Sequence, residues 1–165
     1  MDHLWSPWRL AYITGKASAE GCVFCGALSD PSAEPLLVHR GRTCFVILNL
    51  FPYNNGHLMV IPNRHIASLA AATPDELTEL MHLTRLAEIA LTETYEPQGL
   101  NMGINLGKPA GAGILNHLHL HVVPRWNGDT NFMTVVGRTR VLPEELPETA
   151  AKLRPVFERL VASSQ

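Results

Sequence analysis

The chain has 165 residues, 46% hydrophobic and 17% charged, with a formal net charge of -2 at pH 7. That length carries one domain with a substantial core, and the lack of a Lys/Arg run excludes the electrostatic footprint of a non-specific nucleic-acid binder. No stretch of about 18 apolar residues is available to span a bilayer, and Met1-Asp2-His3-Leu4 lacks the basic-then-apolar pattern of a secretory signal, so a cytoplasmic protein without a membrane partner is expected.

The first twenty residues carry Trp5 and Trp8 around Pro7 and show no clean period. They read as an extended arm whose aromatics either pack on their own domain or cover a site, including one on a partner subunit. Two of the three cysteines follow as Cys22-Val23-Phe24-Cys25. In a reducing compartment that spacing reads as metal or redox chemistry before structural disulfide. Cys44, between Thr43 and Phe45, is expected to be buried.

From Leu36 to Arg40 and from Thr43 to Leu48 the residues are largely aliphatic, aromatic or β-branched, and Gly41-Arg42 separates them, which predicts a hairpin. Turn formers fill Phe51-Pro52-Tyr53-Asn54-Asn55-Gly56, and His57-Leu58-Met59-Val60-Ile61 predicts a third antiparallel strand closed by Pro62. Thr73-Pro74-Asp75-Glu76 supplies an N-cap hydroxyl, a proline at the first helical position and a glutamate placed for a capping box. A long helix starts there, with Leu77, Leu80, Met81, Thr84, Ala87 and Leu91 on its apolar period and Pro97 with Gly99 as its stop.

Leu100 to Leu106 alternates as a strand does, and Gly107-Lys108-Pro109-Ala110-Gly111-Ala112-Gly113 is a small-residue loop. Such a loop can cradle phosphate oxygens on backbone N–H groups, although a glycine-rich connection is more often only a turn. His117-Leu118-His119-Leu120-His121-Val122-Val123 then places three histidines at alternate positions. On a strand their rings line one face while Leu118, Leu120 and Val122 pack on the other. Phe132 to Val136 suggests a further strand, and helical character begins at Leu142 with a kink expected at Pro155. The fold class is α+β: an antiparallel sheet of about five strands, one long helix and a C-terminal helix. The expected organisation is a single domain with an arm at 1–20, a core at 21–136 and a helical tail at 137–165.

Three readings of the alternating histidines are open. They are satisfied by neighbouring carbonyls in a half-buried strand, they bind a catalytic zinc, or one of them attacks phosphorus. Burying three imidazoles without partners is costly, which disfavours the first reading, and the adjacent glycine loop favours the third.

His-φ-His-φ-His-φ-φ, with φ apolar, resembles the signature of the histidine triad (HIT) family of nucleotide hydrolases and transferases. The block Asn49-Leu50-Phe51-Pro52-Tyr53-Asn54-Asn55-Gly56-His57-Leu58-Met59-Val60-Ile61-Pro62 also looks like the family's upstream strand-turn-strand unit. Within the family, Leu4-Trp5-Ser6-Pro7-Trp8-Arg9 and the segment from Pro124 to Phe132 look most like the bacterial diadenosine tetraphosphate phosphorylases, whereas His121 keeps a hydrolase-like triad.

The resemblance implies a HIT-like fold in which His119 attacks the α-phosphorus and forms a nucleotidyl-histidine. His121 would contact that phosphate and assist departure of the leaving group, and His57 and His117 would complete the histidine cluster. Asn49 would take the ribose, Ile47 and Leu50 the base, and Asn105, Ala112 and Gly113 the phosphate oxygens, with Trp126 near the substrate. Cys22, Cys25, His65 and His117 resemble the ligands of a structural zinc site in some branches of the superfamily, which would make His117 a ligand and not a reactive group. His3, His39 and His82 are expected at the surface. The implied reaction is cleavage of dinucleoside polyphosphates such as diadenosine tetraphosphate, by phosphorolysis or hydrolysis, in a homodimer that binds adenine nucleotides, with Mg²⁺ accompanying the polyphosphate. The alternatives are hydrolysis of nucleoside phosphoramidates and a slow nucleotide-binding regulatory module.

Overall fold

In the computed structural model, residues 21–130, 136 and 142–164 are described. The tryptophan arm and residues 132–135 of the expected further strand lie outside the described residues. The hairpin is organised around a carboxylate. Strands β1 (Leu37–Arg40) and β2 (Cys44–Leu48) pair antiparallel, with Arg40 opposite Phe45. Glu79 reaches into the turn between them and accepts from the backbone N–H groups of Arg42 (2.8 Å) and Cys44 (2.9 Å) and from both the N–H and hydroxyl of Thr43. A Cβ on Gly41 would stand 2.8 Å from both Cys44 O and Glu79 Oε1, so glycine is required there for close approach and not only for the turn.

Strand β3 (Leu58–Pro62) pairs antiparallel with β2 over its whole length, from Cys44 opposite Pro62 to Leu48 opposite Leu58. Strands β4 (Gly99–Ile104) and β5 (Leu120–Arg125) complete an antiparallel five-stranded sheet in the order β1-β2-β3-β5-β4. One face buries Val46, Leu48, Leu58, Val60, Leu120 and Val122 against two helices. The other carries Phe45, Ile47, Met59 and Ile61 beneath a short helix α1 (Val23–Ser29) through Phe24 and Ala27. Helix α1 was not expected from the sequence: its seven residues are too few to display a helical period, and packing of Phe24 on the sheet holds it.

The long helix α2 (Pro74–Tyr95) begins as the sequence predicts. The Thr73 hydroxyl accepts from Glu76 N–H (3.2 Å), and Glu76 accepts from Thr73 N–H (2.7 Å). Arg64 forks onto the same carboxylate at 2.9 and 2.8 Å, joining the loop after β3 to the helix start. The chain leaves the helix through Glu96 in a left-handed conformation (φ 45°), followed by Pro97. Its buried stripe is Leu80, Leu83, Thr84, Leu86, Ala87, Ala90 and Leu91, whereas Leu77 and Met81 are exposed, against expectation. Periodicity sets the pitch of an apolar stripe, and contact with the sheet sets its phase.

The C-terminal helix α3 (Leu146–Ser163) runs through Pro155 and buries Ala150, Leu153 and Phe157. His39 is not a surface residue as expected: its half-buried ring stacks on Phe157 at 6.0 Å. No helix among the described residues is long and apolar enough to cross a membrane.

Replacing Glu79 with Ala leaves the turn's N–H groups without their acceptor, and urea titration is expected to show a loss of about 1–3 kcal/mol. A variant within 0.5 kcal/mol of wild type would mean that solvent replaces the carboxylate there.

Candidate active site

The histidine segment is only partly a strand. β5 begins at Leu120, so of the alternating histidines only His121 lies in the ladder, opposite Met59 on β3 and Gly103 on β4. The reason is visible at the end of β3. There the Leu118 N–H donates to Ile66 O (2.6 Å), beyond the strand, and the carbonyl of Pro62 accepts from His117 Nε2 (2.8 Å). The alternation nevertheless survives this departure: Phe24, on the α1 side of the sheet, meets the His117 ring at 5.5 Å and the His119 ring at 5.1 Å, and the His119 and His121 rings lie 4.9 Å apart.

Each imidazole's protonation pattern follows from its partners, because a carbonyl can only accept and a backbone N–H can only donate. His119 Nδ1 lies 2.8 Å from His117 O, so Nδ1 carries a proton and the neutral form has its lone pair on Nε2. His57 Nδ1 accepts from the Tyr53 N–H (3.0 Å), which puts the His57 proton on Nε2. That Nε2–H donates to His121 Nδ1 (2.9 Å), leaving the His121 proton on Nε2. His57 is fully buried, and Tyr53 lies tilted by 40° against His57 at 4.8 Å and stacks on His121 at 6.0 Å. Burial, with a smaller contribution from His119, pushes His121 down to about 4, so it is neutral at pH 7.

His117 turns its other nitrogen away from this group. Its Nδ1 lies 3.3 Å from Cys22 Sγ and 3.6 Å from Cys25 Sγ, while His65 Nδ1 lies 3.3 Å from Cys25 Sγ. The four ligand atoms of Cys22, Cys25, His65 and His117 fall within 4.8 Å of one another. Two thiols and two imidazoles are a donor set that suits zinc, and the bond from His117 Nε2–H to Pro62 O is the kind of outer contact that would fix a ligand ring. The family resemblance implied this set, and the fold draws it together from three separate parts of the chain.

The remaining expected residues surround the histidines less closely. Asn49 Oδ1 accepts from Phe51 N–H (2.9 Å), and its Nδ2 lies 3.4 Å from His57 Nδ1. Ile47 is buried and Leu50 is largely exposed at 57%. In the glycine loop, Gly107 and Gly111 adopt positive φ (83° and 91°), and a Cβ on Gly111 would sit 4.0 Å from Asn105 Nδ2. The Ala112 N–H points back to Gly107 O at 3.3 Å, while Gly113 is exposed. Trp126 is partly buried beside Asp129, which accepts its N–H at 3.2 Å. Beside His121 an open pocket of about 350 Å³ is lined by Tyr53, Asn101, Gly103, Asn105 and Arg125, among others. Phe24 and Tyr53 are the contacts that sequence reasoning missed; the turn block quoted Tyr53, but only the fold brings its N–H to an imidazole.

Comparison with known proteins agrees with this geometry. The HIT domain family model matches residues 33–128. An AP-4-A phosphorylase of Mycobacterium tuberculosis is 38% identical over 96% of this chain and 86% of its own length. Among solved structures, a Zn-bound histidine triad family protein from Mycobacterium smegmatis superposes with TM-score 0.69 at 30% identity, covering 87% of this chain and 97% of that one. A hypothetical histidine triad nucleotide-binding protein from Sulfolobus tokodaii also gives 0.69, at 28% identity over 84% of this chain and 93% of that one. The chain belongs to the HIT family.

The depressed His121 has a consequence for stability. Unfolding releases the ring to its ordinary value near 6.5, so its contribution is complete above that pH and is lost as pH falls toward about 4. Urea midpoints measured from pH 7 to 4 are expected to fall less steeply for His121→Asn than for wild type; parallel curves would show that the ring is not held neutral.

Proposed function

We propose that this HIT-family chain cleaves dinucleoside polyphosphates, diadenosine tetraphosphate foremost, by nucleotidyl transfer through His119. The observation that carries the reading is the bond from His119 Nδ1 to His117 O. It selects the tautomer with the proton on Nδ1 and turns Nε2 outward as the nucleophilic nitrogen, the orientation that attack at phosphorus requires. The similarity to an AP-4-A phosphorylase supports the substrate class and favours phosphate as the acceptor.

In the first step Nε2 of His119 forms a bond to the α-phosphorus and the bond from that phosphorus to the bridging oxygen of the chain breaks, releasing the rest as ATP. The departing oxygen gathers negative charge, and His121 Nε2–H is the donor that stabilises it, oriented from behind by His57 Nε2–H. In the second step an oxygen of inorganic phosphate attacks the same phosphorus, the P–N bond breaks and ADP leaves; with water in that place the product is AMP. Asn49 serves the ribose, Ile47 and Leu50 the base, and Asn105 and Gly113 the phosphate oxygens, joined by Ala112 once its N–H exchanges Gly107 O for phosphate, with Trp126 against the substrate. Mg²⁺ accompanies the polyphosphate and neutralises part of its charge.

Zinc fits Cys22, Cys25, His65 and His117 by the chemistry of the donor set and the closeness of the four ligand atoms. Its contribution there is structural: it ties helix α1 to the segment that carries the nucleophile. His117 is then a ligand, and its backbone carbonyl serves His119. The nucleotidyl transfer is assigned to His119 and His121, which lie outside that donor set.

Purified protein incubated with diadenosine tetraphosphate, with and without phosphate, is expected to give ADP plus ATP only when phosphate is present. AMP plus ATP in both mixtures would make water the acceptor, and no product would overturn the reading. His119→Ala is expected to lower turnover by at least about 10³-fold while nucleotide binding persists. Metal analysis is expected to find about one zinc per chain, lost together with several degrees of thermal stability in Cys22→Ser; a variant that keeps its zinc would refute the ligand assignment.

A further inference from the structure

We infer that Asp129, acting through Asn54, is a positioning residue for the donor pair His57 and His121; this rests on the nucleotidyl-transfer reading only for its catalytic consequence. Asp129 follows β5 and its side chain is only 12% exposed. Its carboxylate accepts from Arg125 Nε (2.6 Å) and Nη2 (2.7 Å), from Trp126 N–H (3.2 Å), from the Thr130 hydroxyl (3.2 Å) and from Asn54 Nδ2 (2.7 Å). Arg125 in turn donates through Nη1 to Asn101 Oδ1 on β4 (2.7 Å). A carboxylate held by five donors is a rigid anchor, and most of its donors come from the end of β5, which makes Asn54 the member that reaches elsewhere.

Asn54 connects this anchor to the histidines. Its Nδ2 also donates to Pro124 O (2.9 Å), so the amide is pinned both to β5 and to the turn that follows it. Its backbone carbonyl accepts from the His57 N–H (3.2 Å), and the neighbouring Tyr53 N–H is the donor to His57 Nδ1 (3.0 Å). The second of these bonds selects the His57 tautomer, which selects that of His121 through the 2.9 Å contact between them. The far end of the turn has its own supports: Asn55 Nδ2 contacts Glu144 at 3.5 Å, and Gly56 lies so near α2 that a Cβ would approach Leu91 Cδ2 to 3.0 Å. Loss of the Asp129 link therefore loosens residues 53 and 54 without dismantling the turn, and the proton on His121 is no longer confined to Nε2.

Asn54→Ala and Asp129→Asn, each checked for wild-type circular dichroism, separate positioning from bulk stability. Imidazole ¹⁵N spectra are expected to show His121 with its proton on Nε2 in wild type and as a mixture of tautomers in both variants. Rates are then compared for aryl esters of AMP whose leaving phenols differ in acidity. Because His121 serves the departing oxygen, kcat should drop by about tenfold for the least acidic phenol, a modest share of the usual general acid–base contribution, and scarcely change for the most acidic, with KM preserved. Unaltered tautomers, or an equal loss across the series, would overturn the proposal. If wild type cleaves none of the esters, the nucleotidyl-transfer reading falls, and the spectra alone decide the positioning role.

Discussion

A neutral imidazole has one donor nitrogen and one acceptor nitrogen, and the site is built on that asymmetry. His57, His117 and His119 each commit one ring nitrogen to a backbone group: the Tyr53 N–H, Pro62 O and His117 O respectively. The backbone thus decides what the second nitrogen can do. His119 is left with a lone pair, His57 with an N–H for His121, and His117 with a lone pair among two thiols. Identical side chains from two segments take three different roles because the committed nitrogen and its backbone partner differ.

The fold supplies those partners by dividing its sheet. The face under α2 and α3 is entirely apolar among its buried strand residues and gives the strands a fixed position. Among the described residues, the opposite face has only the seven-residue helix α1 above Phe45, Ile47, Met59 and Ile61, with the polar groups of the site beside it. His121 sits in the ladder on that second face, beside Met59. His117 and His119 lie just before it, where departure from the ladder releases the carbonyl of His117 from sheet pairing and makes it available to an imidazole. A strand continued through position 117 would have engaged the same backbone groups in ladder bonds.

His117 also joins two regions that would otherwise be independent. Its side chain belongs to the group with Cys22, Cys25 and His65, and its carbonyl orients His119. On the other side of the site, the turn carrying Tyr53 and Asn54 plays the equivalent part for His57 and His121. The rings of His57, His119 and His121 are held between these two anchors, each fixed by residues distant in sequence.

Much of this was legible in the sequence. The hairpin around Gly41, the capping box at Thr73, the strand closed by Pro62 and the alternation of the histidines are local patterns, and a local pattern is enforced by steric and hydrogen-bond rules that act within a few residues. The grouping of Cys22, Cys25, His65 and His117 was also available, through a spacing that resembles a known family. Other features depended on contact between distant segments. These are the phase of the α2 stripe, which left Leu77 and Met81 outside, the burial of His39 on Phe157, the existence of α1 and the start of β5 at Leu120. The sequence by itself determined the alternation of the histidines, the cysteine pair and the turn chemistry around them; the tertiary structure decided which nitrogen of each histidine is left for the site, because a ring's tautomer is set by the backbone group that folding brings against it.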